Sequence, residues 1–132
     1  MTQDGRLTEL ARRAYATLTN EGADAWEDPV PDFVWDLTPI GLGRYEGLPA
    51  FRDFFRDWVS SYDDWFMELL DAEELSDSVI VISARQGGRM RGSEQSVDFR
   101  LAQVGVWDGD RLLSVTNYLE LDAARAAAAE LV

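Results

Sequence analysis

Leu7, Leu10, Ala11, Ala14, Tyr15 and Leu18 recur at i, i+3, i+4, i+7, i+8 and i+11. That spacing predicts an amphipathic helix with one apolar stripe. Thr2 or Asp4 is expected to cap its start, and Asn20-Glu21-Gly22 to stop it. Ala23 to Trp26 leaves room for one further turn, and Asp28-Pro29-Val30-Pro31 forces an extended path. A strand is expected from Phe33 to Leu37, then a glycine-rich connection (Gly41, Gly43, Gly47) with a short strand at Arg44 to Glu46. Phe51, Phe54, Phe55, Trp58, Val59 and Tyr62 repeat the helical stripe, so a second helix is expected from Pro49 to Tyr62.

Beyond Asp63-Asp64 the period changes from the helical repeat to two. Strands are predicted at Trp65 to Leu70 and Val79 to Arg85. In the next strand Val97, Phe99 and Leu101 are apolar at odd positions, whereas Ala102, Val104 and Val106 are apolar at even ones. This parity switch predicts a β-bulge near residues 101 to 103. Asp108-Gly109 marks a hairpin turn into a strand on which Leu113, Val115 and Leu119 alternate. Asp122 is expected to cap a short alanine-rich helix over residues 123–131. Helix, strand, helix and then a meander of long strands define an α+β class: a curved antiparallel sheet with the N-terminal helices packed on its concave face. A chain of 132 residues without repeats or linkers is read as a single domain, 1–132.

Composition narrows the function. The formal net charge is −13 and every basic residue is arginine, so nucleic acid and anionic membrane surfaces are excluded as partners. The chain has no cysteine and no histidine, which removes disulfides and thiolate chemistry and argues against a transition-metal site. No dinucleotide, phosphate-loop or serine-nucleophile motif occurs, and no cofactor is expected. No signal-peptide pattern opens the chain, and its longest wholly apolar run, Val79 to Ile82, is far too short for a bilayer. A cytoplasmic location is the default expectation.

Several residues carry candidate chemistry. Asp36 is a carboxylate beside large aromatics. Strand alternation puts it with Val34, on the face opposite Phe33, Trp35 and Leu37. Tyr15 lies in the first helical stripe, where a core tyrosine needs one partner for its hydroxyl. Asn117 interrupts the apolar alternation of the last strand, so it is either a buried, satisfied amide or a cavity-lining one. Glu68 and Arg85 lie on neighbouring strands and are expected to pair, at a rim or around a polar ligand. Trp35, Phe55 and Trp58 are core residues or the walls of an apolar site.

The chain resembles the nuclear transport factor 2-like superfamily, in particular its SnoaL-like members. The resemblance is carried by Phe33-Val34-Trp35-Asp36, the run from Tyr45 to Phe55, Gly92-Ser93 through Asp98, and the hairpin from Val104 to Tyr118 with its closing helix. It implies a cystatin-like cone, an apolar small-molecule ligand and a homodimer. By likeness to the ketosteroid isomerases, Asp36 falls on the proton-moving base and Tyr15 on the tyrosine that donates to the developing oxyanion. The sequence departs from those isomerases at their second acid, where Ala102 stands with Gln103 beside it. It departs from the limonene epoxide hydrolases as well: Asn117 replaces one aspartate, and Gly87 stands near Arg85 in place of the other. Two functions follow. One is a cofactor-independent isomerase or cyclase acting by proton transfer on an apolar carbonyl compound, with Asp36 and Tyr15 catalytic and Gln103 or Asn117 supporting. The other is a non-catalytic dimeric binding domain of the same fold.

Overall fold

The computed structural model describes residues 5–132. Helix α1 (Arg6–Asn20) buries Leu7, Leu10, Ala11, Ala14, Tyr15 and Leu18, the stripe read from the sequence. Thr2 and Asp4, expected at its start, lie outside the described residues. At that end the carboxylate of Glu74, far along the chain, accepts the Thr8 N–H at 3.0 Å and the Thr8 hydroxyl at 2.7 Å. This satisfies one of the unpaired first-turn N–H groups and places negative charge at the positive end of the helix.

A 3₁₀ turn (Ala23–Ala25) leads into β1 (Pro29–Asp36), and another (Thr38–Ile40) into β2 (Arg44–Glu46). Helix α2 (Leu48–Ser60) follows Gly47, whose φ of 94° is open to glycine at little cost. Pro49 sits in its first turn. Four strands come next: β3 (Phe66–Glu74), β4 (Val79–Arg89), β5 (Ser96–Asp108) and β6 (Arg111–Tyr118). Helix α3 (Leu121–Ala129) closes the chain, with Asp122 inside its first turn and Glu120, not Asp122, at the cap position.

The class is α+β, but the sheet corrects the expected geometry. Its order is β2-β1-β6-β5-β4-β3, so it is open, with β2 and β3 as edges, and it is not curled into a cone. It is also mixed rather than antiparallel, because β1 runs parallel to β6 while the other neighbours are antiparallel. Nor are all helices on one face. The α1 and α2 residues pack with Phe33, Trp35, Ile80, Ile82, Leu101 and Val115, whereas α3 packs its Ala124 and Ala128 against Val79, Val81, Ala102 and Val104.

Those two layers explain the parity switch in β5. Residues 101, 103, 105 and 107 face α1 and α2, residues 102 and 104 face α3, and all are buried. The register between β4 and β5 is unbroken from Val79↔Val106 to Arg89↔Ser96, so no bulge interrupts that pairing near residue 102. The bulges lie elsewhere. Leu70 is the extra residue between Leu69↔Ala84 and Asp71↔Ser83, and Leu113 the extra one between Val106↔Ser114 and Trp107↔Leu112. Each bulge turns a leucine out to solvent, and the second gives the buried position to Leu112.

Between the N-terminal helices and the sheet, Trp26, Phe33, Trp35, Phe51 and Phe55 form a run of ring contacts 4.9 to 6.4 Å apart. Several are edge-to-face, the geometry that ring quadrupoles favour.

Candidate functional site

The layer between α1, α2 and the sheet holds two small chambers. The first, about 30 Å³, is walled by Ala14, Tyr15, Leu18, Trp26, Gln103 and Gly105 among others. The second, also about 30 Å³, is bounded by Leu37, Phe54, Phe55, Trp58, Gln86 and Asn117 among others. Trp35 and Met67 line both and so form the partition. Each chamber has room for a water or two as it stands. Leu18 and Phe55 also border an open cleft of about 380 Å³ between the end of α1 and α2.

The first chamber contains a glycine where a strand would normally carry a side chain. A Cβ on Gly105 would come within 3.2 Å of Ile80 Cγ2 and 3.4 Å of the Trp107 indole nitrogen. Glycine inside a strand weakens it, so its presence here is tied to close approach across the wall.

One polar chain crosses this apolar interior. The Tyr15 hydroxyl donates to Gln103 Oε1 at 2.5 Å. Gln103 Nε2 donates to Asn117 Oδ1 at 2.9 Å, and Asn117 Nδ2 donates to the backbone carbonyl of Asp36 at 3.1 Å. All three side chains are buried, Asn117 completely. Burial pushes the Tyr15 hydroxyl pKa far above its ordinary value, so the phenol stays neutral. The indole nitrogens of Trp26 and Trp35 are buried and find no acceptor. Both residues line the first chamber.

Of the residues expected from sequence, Tyr15, Gln103, Asn117 and Trp35 come together here, with Phe55 and Trp58 in the adjoining chamber. Asp36 does not join them through its side chain. Trp35 and Leu37 point into the core, so Asp36 projects to the other face of the sheet. Its carboxylate accepts from the Thr38 N–H at 2.9 Å and the Thr38 hydroxyl at 2.7 Å, and lies 3.5 Å from Arg44. Only its main-chain oxygen reaches the buried relay.

Glu68 and Arg85 do pair, at 2.5 Å, but on the outer face and with substantial exposure. Arg85 also binds Asp98 and lies 4.8 Å from the centre of the Phe66 ring. The hydrogen bond from Arg85 holds the Asp98 carboxyl below its ordinary pKa. This cluster touches neither chamber.

Several residues of the site escaped the sequence reading, among them Trp26 and the three that follow. Gln86 accepts from Trp58 Nε1 at 3.0 Å and from Trp65 Nε1 at 3.4 Å, anchoring the rim of the second chamber. Its parity with Ile82 and Ala84 was the available signal. Met67 and Gly105 are the others, and Gly105 was marked by being a glycine within a long strand. Among the described residues no group of three or more His, Cys, Asp or Glu side chains could hold a metal ion. Also among the described residues, no helix is long and apolar enough to cross a membrane.

No protein-family model matches the chain, and no curated protein matches it. Solved structures do. A Catenulispora acidiphila protein with a ketosteroid isomerase-like fold, in complex with trimethylamine, superposes with a TM-score of 0.74 at 16% identity over 92% of both chains. A Jannaschia protein provisionally designated a SnoaL-like polyketide cyclase gives 0.75 at 15% identity over 97% of both. An NTF2-like protein of unknown function from Burkholderia pseudomallei gives 0.74 at 14% identity, covering 95% of this chain and 98% of the other. The chain therefore shares the fold of these NTF2-like, SnoaL-like and ketosteroid isomerase-like structures. At these identities the likeness is one of fold.

Proposed function

We propose that this protein binds a small, largely apolar molecule in the interior between α1, α2 and the sheet. The observation that carries the reading is a buried Tyr15–Gln103–Asn117 relay set in otherwise apolar walls, beside a partition of Trp35 and Met67. Binding sites for small molecules combine apolar walls with a few placed polar groups in this way. Polar residues in a core cost stability unless they are paired, and in this relay each is paired while Gln103 keeps a hydrogen to offer a ligand. Met67 is flexible, and its displacement would join the two chambers into one larger site. The trimethylamine complex of the Catenulispora protein supports a ligand of this size on the same fold.

We read binding rather than proton transfer. The isomerase or cyclase alternative needs a base and a donor aimed at one ligand atom. Here the Asp36 carboxylate is engaged by Thr38 and Arg44 across the sheet from Tyr15. The test is a thermal-shift screen of small apolar fragments against the wild type and Gly105→Ala. Fragments that stabilise the wild type and not the variant are expected. Equal shifts in both, or none in either, would defeat the reading.

A further inference from the structure

The direction of the buried relay determines which ligand group it can receive. Two oxygens 2.5 Å apart, Tyr15 Oη and Gln103 Oε1, require a hydrogen between them. An amide oxygen has none to give, so it is the tyrosine's own. The other end fixes this arrangement. The Asp36 carbonyl is only an acceptor and is held by the backbone of β1, so Asn117 must turn its amide nitrogen toward it. That leaves Asn117 Oδ1 to accept from Gln103 Nε2, and Gln103 Oε1 to accept from Tyr15. Reversing both amides would set the Asn117 oxygen against the Asp36 carbonyl, acceptor facing acceptor. The relay therefore has one direction, set by a main-chain oxygen.

What remains free follows by counting. Tyr15 has spent its only hydrogen and offers the chamber lone pairs. Gln103 keeps one amide hydrogen, and the unpaired indole N–H groups of Trp26 and Trp35, which line the same chamber, are two further donors. Tyr15 and Gln103 line the first chamber and are buried, at 9% and 4% exposure. A carbonyl ligand can accept from any of these donors but has no hydrogen to give the Tyr15 lone pairs. A hydroxyl satisfies both, donating to Tyr15 and accepting from Gln103.

We propose that the first chamber, enlarged by displacement of Met67, recognises the hydroxyl group of a small aliphatic alcohol, with Tyr15 Oη as acceptor and Gln103 Nε2 as donor. The inference rests on the binding reading above and gives its ligand class. It assigns Tyr15 the opposite polarity from the oxyanion donor that the sequence resemblance implies.

The test compares propan-2-ol with acetone, which share a skeleton and differ in the one hydrogen. Each is titrated while the side-chain amide resonances of Gln103 and Asn117 are followed by NMR. Propan-2-ol is expected to bind about tenfold more tightly, the worth of roughly one neutral hydrogen bond. The double variant Tyr15→Phe, Gln103→Leu, which removes the acceptor and the donor together, should erase the preference. Gln103→Leu, which frees the tyrosine hydrogen, should reverse it. Acetone binding as tightly as the alcohol, or more tightly, would overturn the ligand class while leaving the binding reading intact. Saturable shifts from neither compound would overturn both. The relay direction has its own readout: a slowly exchanging Tyr15 hydroxyl proton, expected in the wild type and in Asn117→Leu and lost in Gln103→Leu. A rapidly exchanging proton in the wild type would contradict the relay even if ligands bind.

Discussion

Replacing Asn117 with leucine removes the central link between Asp36 and Gln103. Asn117 has no solvent exposure and makes bonds of 2.9 Å to Gln103 and 3.1 Å to the Asp36 carbonyl. Losing two neutral hydrogen bonds costs about 1 kcal/mol each, and the Gln103 amide left without a partner adds roughly 1–3 kcal/mol. Leucine regains part of this through apolar burial. The net expectation is a loss of about 2–4 kcal/mol, or a Tm lowered by roughly 10 °C in a domain of this size. The decisive comparison is the triple variant Tyr15→Phe, Gln103→Leu, Asn117→Leu. Removing every member of a polar network leaves few orphaned groups, so the triple variant should be more stable than Asn117→Leu alone by at least about 1 kcal/mol. Urea denaturation at constant m-value measures both. If the three losses simply add, the residues do not act as one network and the account of the site fails.

Other outcomes follow from the same geometry. Gly105→Ala should change stability by no more than about 1 kcal/mol, because lower unfolded-state entropy offsets a contact at 3.2 Å that Ile80 must relieve; ligand binding should nevertheless be lost. Asp36→Asn should leave ligand binding intact and shift stability by less than about 1.5 kcal/mol, since its carboxylate serves Thr38 and Arg44; loss of binding in a folded variant would restore Asp36 to the site. Burial raises the Tyr15 pKa in the folded chain above its unfolded value near 10, so its contribution to stability is complete below that pH and is lost as pH rises beyond it. Tyr15→Phe should accordingly be less sensitive to alkali above about pH 10 than wild type, followed by tyrosinate absorbance and circular dichroism together. Asp98 behaves in the opposite sense: its folded pKa is depressed, so its contribution is present above the unfolded value and lost as pH falls through the folded one. Asp98→Asn should flatten the acid limb of the stability profile.

Much of the architecture is legible because apolar periodicity is a local property. The α1 stripe, the α2 aromatics and the Asp108-Gly109 turn all fall where their residues place them. What local pattern cannot carry is the second covered face. Ala102 and Val104 are apolar because α3 lies over them, and a single-layer view turns that into a bulge. The true bulge in the last hairpin is hidden by Leu112-Leu113, two leucines of which either could be the buried one. Strand direction is not encoded in alternation at all, so the parallel pairing of β1 with β6 was not readable. Within the site, Asn117 was marked by breaking an apolar row, whereas its link to Gln103 depends on cross-strand register. Alternation set Asp36 opposite Trp35, and the family resemblance alone drew its carboxylate toward the pocket.

Met67 stands in the partition between the chambers, and Met1 and Met90 are the only other methionines. Labelling the methionine methyls with ¹³C and titrating propan-2-ol therefore reads the interior directly. The Met67 methyl is expected to shift saturably in the wild type and not in Gly105→Ala. A Met67 signal that stays fixed, or that shifts equally in both proteins, would contradict a ligand site in this interior.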